Sequence, residues 1–449
     1  MFLIIYNFLN RYIFNNNLSG VSRESGWRLR SLGSALGALL LPLTAMAGEW
    51  PLPPVPDSVG INIHFVKGGE QDLDLIAAAG IKVVRTDLKW EDTERLRGVY
   101  DWTAYDELAA NLAKRGLRPY FILDYSNALH EETVERRAML LWSYTEVMSP
   151  HTPQSIDAFA RWAAEAARHF RQYRPVWEIW NEPNIKFWKP KPDVDAYSQL
   201  ALATCAAVRK ADPDATVVAP AASGFPWDYL ENFFKSGALS CLDGVSVHPY
   251  RNDLPESVGA DYARLRQLVD RYAPPGKHGR LPILSGEWGY ATVRNGLPLI
   301  SQAAYLVRMQ LINLSHGIPL SVWYDWKNDG GDAANHEHNF GIVDPVSQFK
   351  PAYIGLRTFT TQLRGYRYLR RVELDNGNDY ALLFGTADGR GKLVAWTTGV
   401  AHVARIPAPP PPRPAQMSVT DGNGLRLPLA LEGAWMNVQL TGSPVYIAP

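Results

Sequence analysis

VWEIWNEPN, residues 176–184, carries a β-forming run into the tripeptide Asn181-Glu182-Pro183. A buried strand that delivers an amide and a carboxyl side by side to its C-terminal tip is a costly arrangement, because a desolvated carboxyl is poorly tolerated unless it serves a purpose. The pattern recurs in PILSGEWGY, residues 282–290, where a second short apolar strand ends in Glu287. What surrounds these two stretches decides whether their tips meet.

From Val59 onward, apolar strand-like runs alternate with helical patterns, the signature of βαβ units and a parallel sheet. Strands are expected at 59–65, 82–88, 118–124, 176–181, 215–221, 243–248, 282–287 and 320–325. Helices are expected at 71–79, 104–115, 153–172, 194–211, 227–236, 257–273, 301–316 and 351–363. Eight strands, each followed by a helix, predict an α/β protein built on a closed (β/α)8 TIM barrel. Local signals agree. Thr152 can cap a helix with Pro153 at its first position, and Phe159, Trp162, Ala163, Ala166 and Phe170 then form a core-facing stripe. Thr103 with Asp106 resembles a capping box, and Gly80 and Gly116 supply helix stops.

All strands of a parallel barrel aim their C-terminal ends at one mouth. Glu182 and Glu287 would meet there as one acid and one nucleophile. Around them the same logic gathers His64, Arg85, Trp90, Asp124, Asn181, His248, Tyr250, Trp288, Trp323 and Trp326. Hydroxyl-rich sugars suit this mixture: polar side chains meet the hydroxyls while aromatic faces pack on C–H groups.

Asn-Glu-Pro closing one strand and Glu-Trp-Gly closing another, in this order and at this separation, resemble the clan A retaining glycoside hydrolases, families 39 and 5 in particular. The likeness covers roughly residues 55–363, and Lys350-Pro351-Ala352-Tyr353 resembles the entry to the last barrel helix of those relatives. The resemblance implies double displacement, with Glu287 as nucleophile and Glu182 as acid/base, their carboxyls about 5 to 5.5 Å apart. It further implies that Arg85 hydrogen-bonds the nucleophile, that Tyr250 stands beside it, and that Asn181 holds the sugar 2-hydroxyl. Trp323 or Trp326 would be the aromatic platform. For these roles Glu182 needs a raised pKa and Glu287 a normal or lowered one.

Other residues have plainer readings. Glu178 lies inside its strand and is expected in a buried pairing with Arg or Lys. His64 and His248 are expected to bind substrate or support those that do. Trp188, in a βα loop, is either a subsite wall or a packed loop anchor. His336-Glu337-His338 sits in a Gly/Asn/Asp-rich loop without the helical spacing of zinc motifs, so neither metal nor cofactor is expected. The number of aromatics favours an extended glycan, polysaccharide or oligosaccharide, cut internally. A non-catalytic carbohydrate-binding barrel would need the aromatic cleft but not both carboxyls. A transglycosylase would use the same residues as a hydrolase, and sequence does not separate the two.

Outside the barrel, residues 1–47 read as a signal peptide or N-terminal extension. Arg28 and Arg30 precede the apolar run 32–43, and Ala45-Met46-Ala47 has the small residues of a cleavage site. Export to the periplasm or the medium follows, or an uncleaved N-terminal anchor that would be the only link to a membrane; translation starting at Val21 is a further alternative. Without that segment 41 basic and 44 acidic residues remain, a balance that does not favour nucleic acid as a partner. A monomer is expected. Residues 48–363 are assigned to the catalytic barrel and 364–449 to a β-sandwich module, where short alternating segments are separated by turn signals such as Asp421-Gly422-Asn423-Gly424. Pro409–Pro412 reads as a stiff polyproline edge. Cys205 and Cys241 are too few for a disulfide scaffold; two buried thiols are the first reading, and a single bridge the alternative.

Overall fold

A computed structural model of the chain describes residues 52–138, 142–408 and 417–448. The leader at 1–47 and the polyproline run therefore lie outside the described residues. In chain order the strands are β1 (Val59–Asn62), β2 (Val83–Lys89), β3 (Arg118–Asp124), a hairpin of β4 (Thr133–Ala138) and β5 (Trp142–Val147), β6 (Val176–Ile179), β7 (Thr216–Ser223), β8 (Gly244–His248), β9 (Ile283–Trp288) and β10 (Ser321–Trp323). Leaving out the hairpin, these strands form a closed parallel barrel in which β1 pairs with both β2 and β10. The eight expected strands are the eight barrel strands. The hairpin, absent from the expectation, emerges from the loop after β3.

Strand alternation divides the barrel into two faces. Inward positions carry Val83, Tyr120, Val176, Val218, Leu284 and Val322, an apolar cluster that floors the barrel. Two residues further along the same faces come Arg85, Glu178 and Gly286, so a polar layer sits directly above an apolar one. Outward positions such as Val84, Phe121, Trp177 and Val217 join the surrounding helices in the main core. The helix Pro153–Phe170 buries the predicted stripe of Phe159, Trp162, Ala163, Ala166 and Phe170, and Thr152 caps it in a reciprocal box with Ser155. The Thr103 box does not form: Thr103 is the first residue of its helix, and its N–H is taken by Asp101 Oδ1 at 3.0 Å.

Cys205 and Cys241 are bridged, with Cα atoms 6.2 Å apart, which corrects the reading of two free thiols. The bridge joins the helix Val194–Ala211 to the segment that leads into β8. Its partners are neighbours because consecutive βα units stack side by side around the barrel, a proximity that sequence spacing does not reveal.

After the last barrel helix (Pro351–Gln362) the chain builds a six-stranded antiparallel sheet and a three-stranded one. Ala381, Ala395, Val419, Val445 and Ile447 of the larger sheet face Ala404, Ile406, Met436, Val438 and Leu440 of the smaller, as in a sandwich. Its other face continues the barrel's own core through Leu382, Phe384, Val394, Trp396 and Tyr446. One polar knot pins the contact. Arg308 on a barrel helix donates to both oxygens of Glu256, at 2.7 and 2.6 Å, and Trp396 Nε1 of the module donates to the same Glu256 at 2.8 Å. Removing one member of a buried charge pair strands the other, so Glu256→Ala should lower stability by about 3 to 5 kcal/mol. The shared core also predicts one cooperative unfolding transition for both parts. Calorimetry of the two proteins tests this, and a barrel that stays folded after the β-module has melted would contradict it.

Candidate active site

At the barrel mouth the chain bends sharply where the first motif requires it. Trp180 and Glu182 have φ of 66° and 47°, the left-handed region that non-glycine residues adopt at a cost. The bend is held by backbone hydrogen bonds from Trp180 N to Leu123 O and from Glu182 N to Ala221 O, both 3.0 Å. Asn184 adds side-chain bonds to the backbone of Ser223. Glu182 is thereby turned over the barrel axis.

Arg85 is the centre of the polar layer. Its guanidinium is buried and donates to Glu178 Oε2 at 2.8 Å, Asn62 Oδ1 at 3.1 Å, Glu287 Oε2 at 2.5 Å and Asn181 Oδ1 at 2.9 Å. Glu178 forms the structural ion pair expected of it, and Tyr120 and Ser246 donate to its other oxygen. Gly286 makes this possible, because a Cβ there would fall 2.2 Å from Ser246 Oγ and 3.0 Å from Glu178 Oε1. Burial pushes the Glu178 carboxyl up, but the Arg85 charge, aided by the hydroxyls of Ser246 and Tyr120, outweighs it and holds the group below its ordinary value.

Glu287 receives Arg85 on one oxygen and the Tyr250 hydroxyl, at 2.8 Å, on the other. Burial, reinforced by the Glu287 charge, pushes the Tyr250 phenol well up, so it stays a donor. Glu182 Oε1 lies 3.0 Å from His248 Nδ1, and His248 Nε2 lies 3.3 Å from Arg85. A guanidinium can only donate, so Nε2 accepts, the ring proton sits on Nδ1, and His248 donates to Glu182. One carboxylate oxygen from each glutamate and a nitrogen of His248 all lie within 4.8 Å of one another. That is the spacing at which a carboxylate can attack a sugar whose leaving group the other protonates.

The Glu182 carboxyl differs from expectation in one respect. Burial raises it, but the hydrogen bond from His248 outweighs burial, with Ser223 and Arg85 adding to it, and the group is held below its ordinary value rather than above it. The sequence reading took a raised value from the role alone and did not count this donor.

The other expected residues divide. Asn181 joins the centre, with Nδ2 donating to Tyr125 at 3.0 Å. His64 stands at the mouth, its ring 5.4 Å from Tyr324 and its Nδ1 2.9 Å from Asp329 Oδ1. Burial alone would lower its pKa, but Asp329 and the nearby Asp325 raise it to about 9. Asp124 is fully buried, and burial together with Asp87 drives its carboxyl well up. The tryptophans are the main correction. Trp90 packs edge-on to Phe159 and stacks on Trp162, with Nε1 bonded to Glu94. Trp188 is enclosed by Trp180 and Tyr197, an anchor and not a subsite wall. Trp288, Trp323 and Trp326 are likewise fully buried. The half-buried aromatic at the end of β10 is Tyr324, whose ring neighbours His64, Tyr250 and Phe340. Alternation could have found it: Val322 faces the barrel interior, so Tyr324 follows it inward while Trp323 turns out to the helices. Asn62, Tyr120 and Ser246, also missed, are inward residues of the same kind, and Tyr125, just past the end of β3, reaches Asn181 without that signal. Among the described residues, His64 with Asp325 and Asp329 forms a second cluster of ligand-type atoms within 4.8 Å, whereas His336, Glu337 and His338 do not.

Comparison with known proteins places this geometry. A β-xylosidase of Caldicellulosiruptor saccharolyticus is 24% identical over 274 residues, 55% of this chain and 54% of that protein, so the chain spans about half the length of its relative. A family 39 glycoside hydrolase from Bacteroides cellulosilyticus WH2 superposes with a TM-score of 0.75 at 26% identity, over 88% of this chain and 81% of the other. A family 39 β-xylosidase from Caulobacter crescentus shares the fold, with a TM-score of 0.64 at 19% identity over 88% and 97% of the two chains. Residues 54–330 match the cellulase family, glycosyl hydrolase family 5. The chain belongs to that family, one of the clan A glycoside hydrolase families.

Proposed function

We propose that the protein hydrolyses O-glycosidic bonds of a polysaccharide or oligosaccharide with retention, as an exported monomer, with Glu287 as nucleophile and Glu182 as acid/base. The observation that carries this reading is the pair of carboxylates within 4.8 Å, held by different partners. Arg85 and Tyr250 each donate to Glu287 and aim it, so it attacks the anomeric carbon while Glu182 gives its proton to the departing oxygen. The glycosyl ester that forms removes the negative charge of Glu287, and Glu182 then takes a proton from the incoming water. Asn181, fixed between Arg85 and Tyr125, offers an amide beside the reacting carbon. Internal cleavage was read from the aromatic count, and the burial of five of those tryptophans removes that support; product length decides it.

Glu287→Ala should abolish turnover, and azide should restore a product of inverted anomeric configuration. Glu182→Gln should lower kcat by about 10² to 10⁴, the usual worth of a positioned acid. Undiminished hydrolysis by either variant, followed by NMR of the released sugar, would sink the assignment.

The pH profile is a separate test. Catalysis needs Glu182 protonated, so rate falls as pH rises through its pKa, and a pKa held low by His248 places that limb of kcat/KM on the acid side. Bound sugar expels water and strengthens repulsion from the Glu287 charge, both of which raise the Glu182 pKa. The basic limb of kcat should therefore lie at higher pH than that of kcat/KM. Coincident limbs above neutrality would contradict the His248 effect.

For the platform, Tyr324→Ala should lower kcat/KM by about 2 kcal/mol, the scale of one aromatic contact, with protein stability little changed. Trp188→Ala should instead cost about 3 to 5 kcal/mol of stability. Kinetics and denaturation of the two variants check this; the opposite pattern would return the subsite to Trp188.

A further inference from the structure

Away from the mouth, a cavity of about 290 Å³ lies in the crease where the β-module meets the outer helices of the barrel. The helix Leu299–Ser315 supplies Ile300, Ala303 and Val307 to one wall, and the module supplies Leu427, Gln439 and Tyr446 to the other. None of the described residues that line it belongs to the active-site mouth. One group in this lining lacks a partner. Tyr446 is 1% exposed and packs into the core that module and barrel share, yet its hydroxyl makes no hydrogen bond. A buried hydroxyl left unpaired is costly, and where it borders a cavity it points to a ligand that satisfies it. Burial pushes the Tyr446 phenol well up, so the group keeps its proton and can both donate and accept.

We propose that this crease is a second, non-catalytic saccharide site that holds a neutral glycosyl unit, with Tyr446 hydrogen-bonded to one of its hydroxyls. The inference goes beyond the hydrolase reading and does not rest on it. Size favours a small ligand, since the volume lies at the low end of small-molecule sites. Charge favours a neutral one. No Lys, Arg or His stands among the described lining residues, so an anion finds no counter-charge. The one carboxylate, Asp421, has Oδ1 committed to the backbone N–H groups of Asn423 and Leu425, at 2.9 and 2.8 Å, which leaves a poor seat for a cation. A wholly apolar ligand would leave the Tyr446 hydroxyl unpaired. A sugar ring meets each demand: its C–H face packs on Ala303, Val307 and Leu427, and its hydroxyls reach Tyr446 within and the exposed amides of Asn423 and Gln439 at the rim. Ile300, 61% exposed, extends the apolar wall outward. A glycan held here is kept close to the mouth, which raises its effective concentration there.

The test is methyl NMR of the full chain carrying Glu287→Gln, with Ile, Leu and Val methyl groups labelled, titrated with xylobiose, mannobiose, cellobiose and digalacturonate. At least one neutral disaccharide should shift the methyl resonances of Ile300, Val307 and Leu427 saturably, and digalacturonate should bind there about tenfold more weakly or not at all. Tyr446→Phe separates a ligand contact from a structural one. It should lower the affinity at these methyls by about three- to tenfold while leaving the ligand-free Tm unchanged or raised, because the hydroxyl it removes has no partner to lose. Shifts confined to methyls of the mouth, tighter binding of digalacturonate in the crease, unchanged affinity in Tyr446→Phe, or a fall in the Tm of that variant would each overturn the proposal.

Discussion

The ion pair between Arg85 and Glu178 is buried to 1% and 0% side-chain exposure, and the arrangement of the whole mouth hangs from it. Two charges taken out of water are expensive, and such a pair is tolerable only when the remaining donors and acceptors are also matched. Here they are. Tyr120 and Ser246 complete Glu178, while Asn62, Asn181, Glu287 and His248 surround the rest of the guanidinium. A lysine could not replace it, because a compact ammonium lacks the planar fork that reaches five partners in one plane. The apolar floor of Val83, Val176 and Leu284 beneath excludes water from below.

From this fixed cation the two catalytic candidates acquire different surroundings. Glu287 meets the guanidinium directly and is compensated by it. Glu182 meets it only through His248, whose tautomer Arg85 dictates. One arginine thus orients a carboxylate by charge and another by the direction of a proton. Different surroundings for two identical side chains follow from distance to a single group, which is the general route by which paired carboxyls are made unequal.

Much of this was legible in sequence because the informative patterns are local. The eight strands, the Thr152 cap and the two strand-end glutamates are set by periodicity and by short motifs, and the barrel brings the tips together whatever their separation. What was illegible depends on orientation. Trp90 was read toward the cleft from its place near a strand end and Trp323 from the resemblance, whereas a large indole in a barrel wall is most readily buried against helices. Tyr324 lay in the same stretch and was passed over for its neighbours. The lowered pKa of Glu182 required a donor from β8, which no local pattern reports, and the Cys205–Cys241 bridge required the lateral packing of two βα units. The hairpin Thr133–Val147 was missed because its charged strands lack the apolar alternation that marks a half-buried sheet.

The left-handed residues at Trp180 and Glu182 add the last constraint. A backbone in that region costs roughly 1 to 3 kcal/mol per residue and persists only where its surroundings leave no alternative. Here the alternative is blocked from three sides. Leu123 on β3 and Ala221 on β7 each accept a backbone bond from the bend, and Trp188 wedges against Trp180 from the loop beyond. Trp188, which the sequence left between a subsite wall and a loop anchor, therefore acts one layer back, holding the turn that carries Glu182. Aromatic bulk and the geometry of the mouth are connected through the backbone, and the placement of Glu182 rests on strain the core can hold as well as on the contact its side chain makes with His248.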